Sequence, residues 1–157
     1  MSQFNAGPMV IDSFMKIQTL SSSSGVLQAL ILDRGDEVMT QLTEFARREN
    51  VRAARFTAIG AFQSAMLAYF DWETKKYVDI PVEEQTEVLV LTGDIAWEGD
   101  KPIAHIHVVL GRRDGSTVGG HLKRAVVRPT LELMIDEAGA LERKFDPASG
   151  IALITAK

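Results

Sequence analysis

The chain has 157 residues, of which 46% are hydrophobic and 24% charged, with no cysteine and a formal charge of −4. These values fit an ordinary globular protein large enough to bury a core, and they exclude disulfides, thiolate metal sites and cysteine nucleophiles. An acidic balance also argues against binding nucleic acid mainly through its phosphates.

The N-terminus carries no basic-then-apolar signal pattern, and no apolar run approaches the roughly 18 residues of a membrane span. A cytoplasmic protein with no membrane partner is expected. Residues 1–12 read as a loose arm and residues 13–157 as a single domain. Residues 14–20 read as a strand, with Phe14, Lys16, Gln18 and Leu20 on one face. Four serines and Gly25 then form a loop, and a second strand covers 26–32. A helix is predicted over 36–50, because Val38, Leu42, Phe45 and Ala46 recur at steps of three and four. Asp36 or Gly35 can cap its start, Arg47 and Arg48 suit its C-terminal end, and Asn50 stops it.

Strand patterns dominate the remainder. They cover 53–59 and 65–71, separated by Gly60, then 77–80 after a polar loop. Residues 87–91 form another, closed by Gly93. Further strands are predicted at 103–110, at 121–127 and 130–135 on either side of Pro129, and at 151–155. Many hairpin-linked strands and one long helix near the N-terminus predict an α+β fold on a largely antiparallel, twisted sheet.

All three histidines, His105, His107 and His121, lie close together in the chain. On a strand, His105 and His107 face the same side. A two-residue Asp114-Gly115 turn would put Leu122 opposite His107 and turn His121 away. A three-residue loop, Arg113-Asp114-Gly115 with Gly115 left-handed, would put His121 opposite His107, its side-chain root about 5 Å away. A bulge at Gly119-Gly120 would have the same effect. Three neutral imidazoles fill three corners of a tetrahedron and leave one open, as in catalytic zinc sites. Nickel, iron or copper also suit imidazole.

Other features carry less chemistry. The glycines form no phosphate loop, and no serine sits in a nucleophile elbow. Arg112, Arg113, Lys123, Arg124 and Arg128 form a basic cluster, from which Arg112, Arg113 or Lys123 could contact an anion. Glu83, Glu84 and Glu87 are candidates for a general base, with solvated surface charge as the plainer reading. Trp72 and Trp97 lie in polar turns, where partial exposure or an oligomer contact is expected.

The stretch from Gly35 to about Glu137 resembles the plants-and-prokaryotes-conserved (PPC) domain, domain of unknown function family 296. The resemblance rests on Gly35-Asp36-Glu37-Val38, Thr57-Ala58-Ile59-Gly60-Ala61 and Leu91-Thr92-Gly93-Asp94-Ile95. It continues through His105-Ile106-His107-Val108 and Gly119-Gly120-His121-Leu122, and the last two motifs are the specific part. It implies an α+β fold, a homotrimer and a metal unit formed by His105, His107 and His121. DNA binding is the activity commonly attached to the family, although this chain has no Arg-Gly-Arg-Pro hook. The fold also looks similar to that of acetolactate decarboxylase, a three-histidine zinc enzyme. The alternatives to DNA binding are therefore a metalloenzyme acting on a small anionic substrate, or an interaction module whose metal supports assembly.

Overall fold

Alternation of buried and exposed residues runs along nearly every strand, and it sets which side chains meet in the core and which face outward. The computed structural model describes residues 16–21 and 26–155. The arm expected at 1–12 and serines 22–24 lie outside the described residues. The elements are β1 (Lys16–Ser21), β2 (Val26–Asp33), α1 (Val38–Arg48), β3 (Ala54–Asp71), β4 (Lys76–Val82) and β5 (Thr86–Glu98). They continue with β6 (Lys101–Gly111), β7 (Thr117–Glu137), β8 (Glu142–Asp146) and β9 (Ile151–Thr155).

The helix is shorter than the periodicity predicts, at 11 residues. Glu37, not Asp36 or Gly35, caps it, accepting from the backbone N–H groups of Met39 and Thr40 at 3.2 and 2.9 Å. Asp36 instead accepts from the Asp33 N–H at 2.9 Å and closes the preceding turn. The predicted stripe of Val38, Leu42, Phe45 and Ala46 is the buried face. Asn50 adopts φ 53°, a conformation that ends the helix.

The strands are longer than the sequence suggests, because three expected breaks lie inside them. Gly60 sits within the 18-residue β3, at a point where the register shifts against both β5 and β7. It marks a bulge, not a gap. Pro129 sits within the 21-residue β7, in a stretch paired with neither β2 nor β3, so its missing N–H leaves no ladder bond unmade. Gly93 lies in the middle of β5. A Cβ there would stand 2.6 Å from the His105 carbonyl oxygen and 2.6 Å from the Phe56 ring. Glycine is required by that close approach. The short β8 has no counterpart in the sequence reading.

Among the described residues, every strand pairing is antiparallel except a single parallel bridge from Trp97 in β5 to Glu142 in β8. The pairings β3–β5, β5–β6, β6–β7 and β7–β3 close on themselves, so four strands surround a common interior. Phe56, Phe62, Leu67, Leu91, Ile106 and Leu122 fill the core. The helix packs over β6 and β7. Trp72 is exposed as predicted, but Trp97 is buried, because its Nε1–H donates to the Val51 carbonyl at 2.8 Å.

Candidate metal centre

The site is built on the β6–β7 hairpin. Arg112 N–H donates to the Ser116 carbonyl and Gly115 N–H to the Arg112 carbonyl, with Gly115 at φ 84°. This is the three-residue loop with a left-handed glycine, and its register places His107 directly opposite His121. Pairing runs unbroken from there to Gly111 opposite Thr117, so no bulge at Gly119-Gly120 is needed. Ile106 is fully buried on the inner face, which turns His105 and His107 to the outer one.

One ligand nitrogen from each of His105, His107 and His121 lies within 4.8 Å of the other two. Tetrahedral zinc with Zn–N bonds of about 2.0–2.1 Å needs nitrogens about 3.3 Å apart, so small inward rotations of the rings would close the site. The ring centroids are 5.0 Å apart for His105–His107, 5.1 Å for His105–His121 and 5.8 Å for His107–His121. The residues present therefore fit a three-imidazole metal site.

Their protonation suits the same role. Burial, followed by the neighbouring His105 and His107, pushes the His121 pKa down from 6.5 to about 4. Burial and then Arg143 lower that of His105, with Asp94 acting in the other direction. Both imidazoles are neutral at pH 7 and present a lone pair.

The imidazoles stand between three concavities. A cavity of about 230 Å³ borders His105 and His121, roofed by Arg143 and Leu153 from the β8–β9 hairpin. A larger, apolar hollow of about 480 Å³ borders His107 and His121. A third, of about 260 Å³, borders His105 and His107 beside Asp94. Tyr77 stacks on His121 with ring centroids 4.9 Å apart and lines the first two.

Of the other predicted residues, Lys123 comes near a histidine and the rest do not line the histidine cavities. Arg112 pairs with Glu84 at 2.9 Å and borders, with Arg113 and Glu87, a separate hollow near the hairpin tip. Lys123 shares the His121 face but pairs with Asp79 at 2.7 Å. Glu83, Glu84 and Glu87 are absent from the linings of the three histidine cavities. A cation that the sequence reading missed, Arg143, also reaches the site, and Asp94 is a nearby carboxylate. Glu142-Arg143-Lys144 reads as a surface charge run, and only the fold brings it beside β5. A same-face pairing of Asp94 with His105 would have required the β5–β6 register, which the sequence does not specify.

The profile of the Plants and Prokaryotes Conserved (PCC) domain, the family abbreviated PPC above, matches residues 20–139. The chain belongs to this family. Among solved PCC-like structures, a metal-containing protein from Archaeoglobus fulgidus is 35% identical. It aligns over 90% of this chain and 98% of its own, with a TM-score of 0.77. A candidate DNA-binding protein from Ralstonia eutropha JMP134 is 26% identical over 88% of this chain and 96% of its own, with a TM-score of 0.79. The bifunctional protein GlmU of a Synechococcus strain is 30% identical over 85% of this chain, and this chain spans only 21% of that protein's length. The PCC match ends before β8, so Arg143 lies beyond it. Among the described residues, no helix is long and apolar enough to cross a membrane.

Proposed function

We propose that this PCC-domain protein binds one divalent metal ion per chain, zinc in the first place, through His105, His107 and His121. The observation that carries this reading is the convergence of three imidazole nitrogens within 4.8 Å on a hairpin whose register aligns them. The metal-containing relative from Archaeoglobus fulgidus supports it. Three protein ligands leave one coordination position for water or a small ligand. Zinc bound there would supply Lewis acidity or an activated water. The chain's own contribution is a half-buried setting, Tyr77 stacked on one ligand, and adjoining cavities of a size for a small anionic molecule.

A homotrimer is part of the same proposal. Tyr69, Val78, Leu89, Val90 and Val109 are large apolar side chains left exposed, which suits a covered surface in an assembly. Light scattering coupled to gel filtration should give three times the chain mass.

Elemental analysis of untagged protein purified without added metal tests the centre. About one metal per chain, lost in His121→Ala, is expected of a three-imidazole site. A metal-free wild type that also fails to take up zinc would overturn the reading.

DNA binding is a second reading, favoured by the candidate DNA-binding relative from Ralstonia eutropha. In this chain Arg112 and Lys123, two members of the basic cluster, are neutralised by Glu84 and Asp79. Retardation of a duplex at about 50 mM salt, weakening steeply as salt rises, would support that reading, and no retardation would exclude it.

A further inference from the structure

His105 has a carboxylate beside its ring. The β5–β6 register puts Asp94 directly opposite it, and Asp94 Oδ2 lies 3.8 Å from His105 Nδ1. The other oxygen, Oδ1, accepts a hydrogen bond from Arg143 Nη2. Arg143 projects from β8, and its side chain is only 6% exposed. Its Nη1 reaches the Ala152 carbonyl at 3.4 Å, while its Nε is buried without a partner.

An ion pair with a buried guanidinium is a poor device for docking a hairpin, because the desolvation penalty consumes much of the attraction, and an apolar side chain would dock it at less cost. What the pair does, and an apolar side chain could not, is fix where a carboxylate stands. We infer that Arg143 and Asp94 form the outer shell of the metal centre. Arg143 is a positioning residue that holds the Asp94 carboxylate on the Nδ1 side of His105, leaving Nε2 for the ion. Metal-bound histidines commonly donate their second N–H to such a carboxylate, which fixes ring orientation and raises ligand basicity. The inference rests on the metal reading above and extends it to a residue beyond the PCC match. It also makes the C-terminal β8–β9 hairpin part of the site: the hairpin joins the rest of the sheet through the Trp97–Glu142 bridge, and Arg143 is its link to the histidines.

The test is zinc affinity of the full chain, measured by competition with a chromophoric chelator, for wild type, Asp94→Asn, Arg143→Leu, Arg143→Lys and the double variant Asp94→Asn/Arg143→Leu. Loss of an outer-shell partner typically weakens metal binding about 10–100-fold, and that is the drop expected for Asp94→Asn and Arg143→Leu. Arg143→Lys should recover part of the loss. The double variant should bind within about twofold of Asp94→Asn, because both residues act through one contact. The visible spectrum of cobalt-loaded protein should keep the same coordination number in every variant. Should Arg143→Leu fail to fold, the isosteric Asp94→Asn decides the matter. Affinity of folded Asp94→Asn within twofold of wild type would overturn the inference, and so would a change in its cobalt coordination number, which would make Asp94 a direct ligand. Neither result would be confused with failure of the metal reading itself, in which wild type binds no zinc.

Discussion

The two hairpins that enclose the candidate centre are held in place by different forces. The β6–β7 hairpin is paired to β5 on one side and β3 on the other, and its inner face of Ile106, Leu110 and Leu122 is fully buried. The β8–β9 hairpin joins β5 through one bridge and leaves Phe145, Leu153 and Ile154 at 65%, 41% and 40% exposure. Its buried charged residue is Arg143. The first is therefore stabilised by apolar burial distributed over many residues, and the second by a few single contacts, among them Arg143 to Asp94 and Lys75 to the Ala148 carbonyl. Distributed burial leaves a periodic trace in the sequence, whereas such single contacts leave none.

The largest effect that would sharpen this contrast is expected at Ile106. Truncating it to alanine should lower unfolding stability by about 2–5 kcal/mol in denaturant titrations. A loss below about 1 kcal/mol would mean that the hairpin's inner face is not the anchor it is taken to be.

The next effect is on pH dependence in metal-free protein. The folded-state pKa of His121 is depressed to about 4 from an ordinary 6.5. The unfolded chain therefore takes up the proton first as pH falls. This contribution to stability is fully present above pH 6.5 and is lost progressively on going down to about pH 4. The melting temperature of the apoprotein should fall by a few degrees across that window, and His121→Gln should flatten the dependence. An equal slope in the variant would assign the titration to other groups.

A smaller effect is expected in the C-terminal hairpin. Leu153→Ala should change stability by no more than about 0.5 kcal/mol, since half-exposed surface positions rarely cost more. Amides of β8 and β9 should exchange with deuterium through local opening, well before those of β6 and β7. Co-exchange of the two hairpins would break the comparison. The smallest effect is expected at the hairpin tip. Arg112→Ala removes an exposed pair with Glu84 and should cost about 0–1 kcal/mol, shrinking further in high salt.

Much of this molecule is legible from local chemistry. The helical stripe from Val38 to Ala46 appears on the buried face, and the His-x-His alternation gives a shared strand face. Even the loop that aligns His121 follows from counting residues around a left-handed Gly115. What is not legible has a common cause. Gly60, Gly93 and Pro129 read as breaks because turns use the same residues, and only the neighbouring strands reveal a bulge, a close approach and an unpaired stretch. Glu37 displaced Asp36 as the cap because both are acceptors one residue apart, and the turn at Asp33 had first claim on Asp36. Asp94 and Arg143 are 49 positions apart, and no local pattern connects them. Arg112 and Arg113, which follow His107 closely in sequence, border a different hollow, because the hairpin carries them away from the site.

Gly93 gives the centre a dimension that no ligand supplies. Its missing side chain lets the Phe56 ring and the His105 carbonyl close on the same point of β5. The distance between two strands, and with it the seat of an imidazole, is thus gauged by an empty volume the size of a methyl group. A search for altered metal preference that varied only the histidines and their visible neighbours would overlook it. Residue 93 acts as a shim of zero thickness, and every larger side chain would press on the strand that carries two of the three candidate ligands.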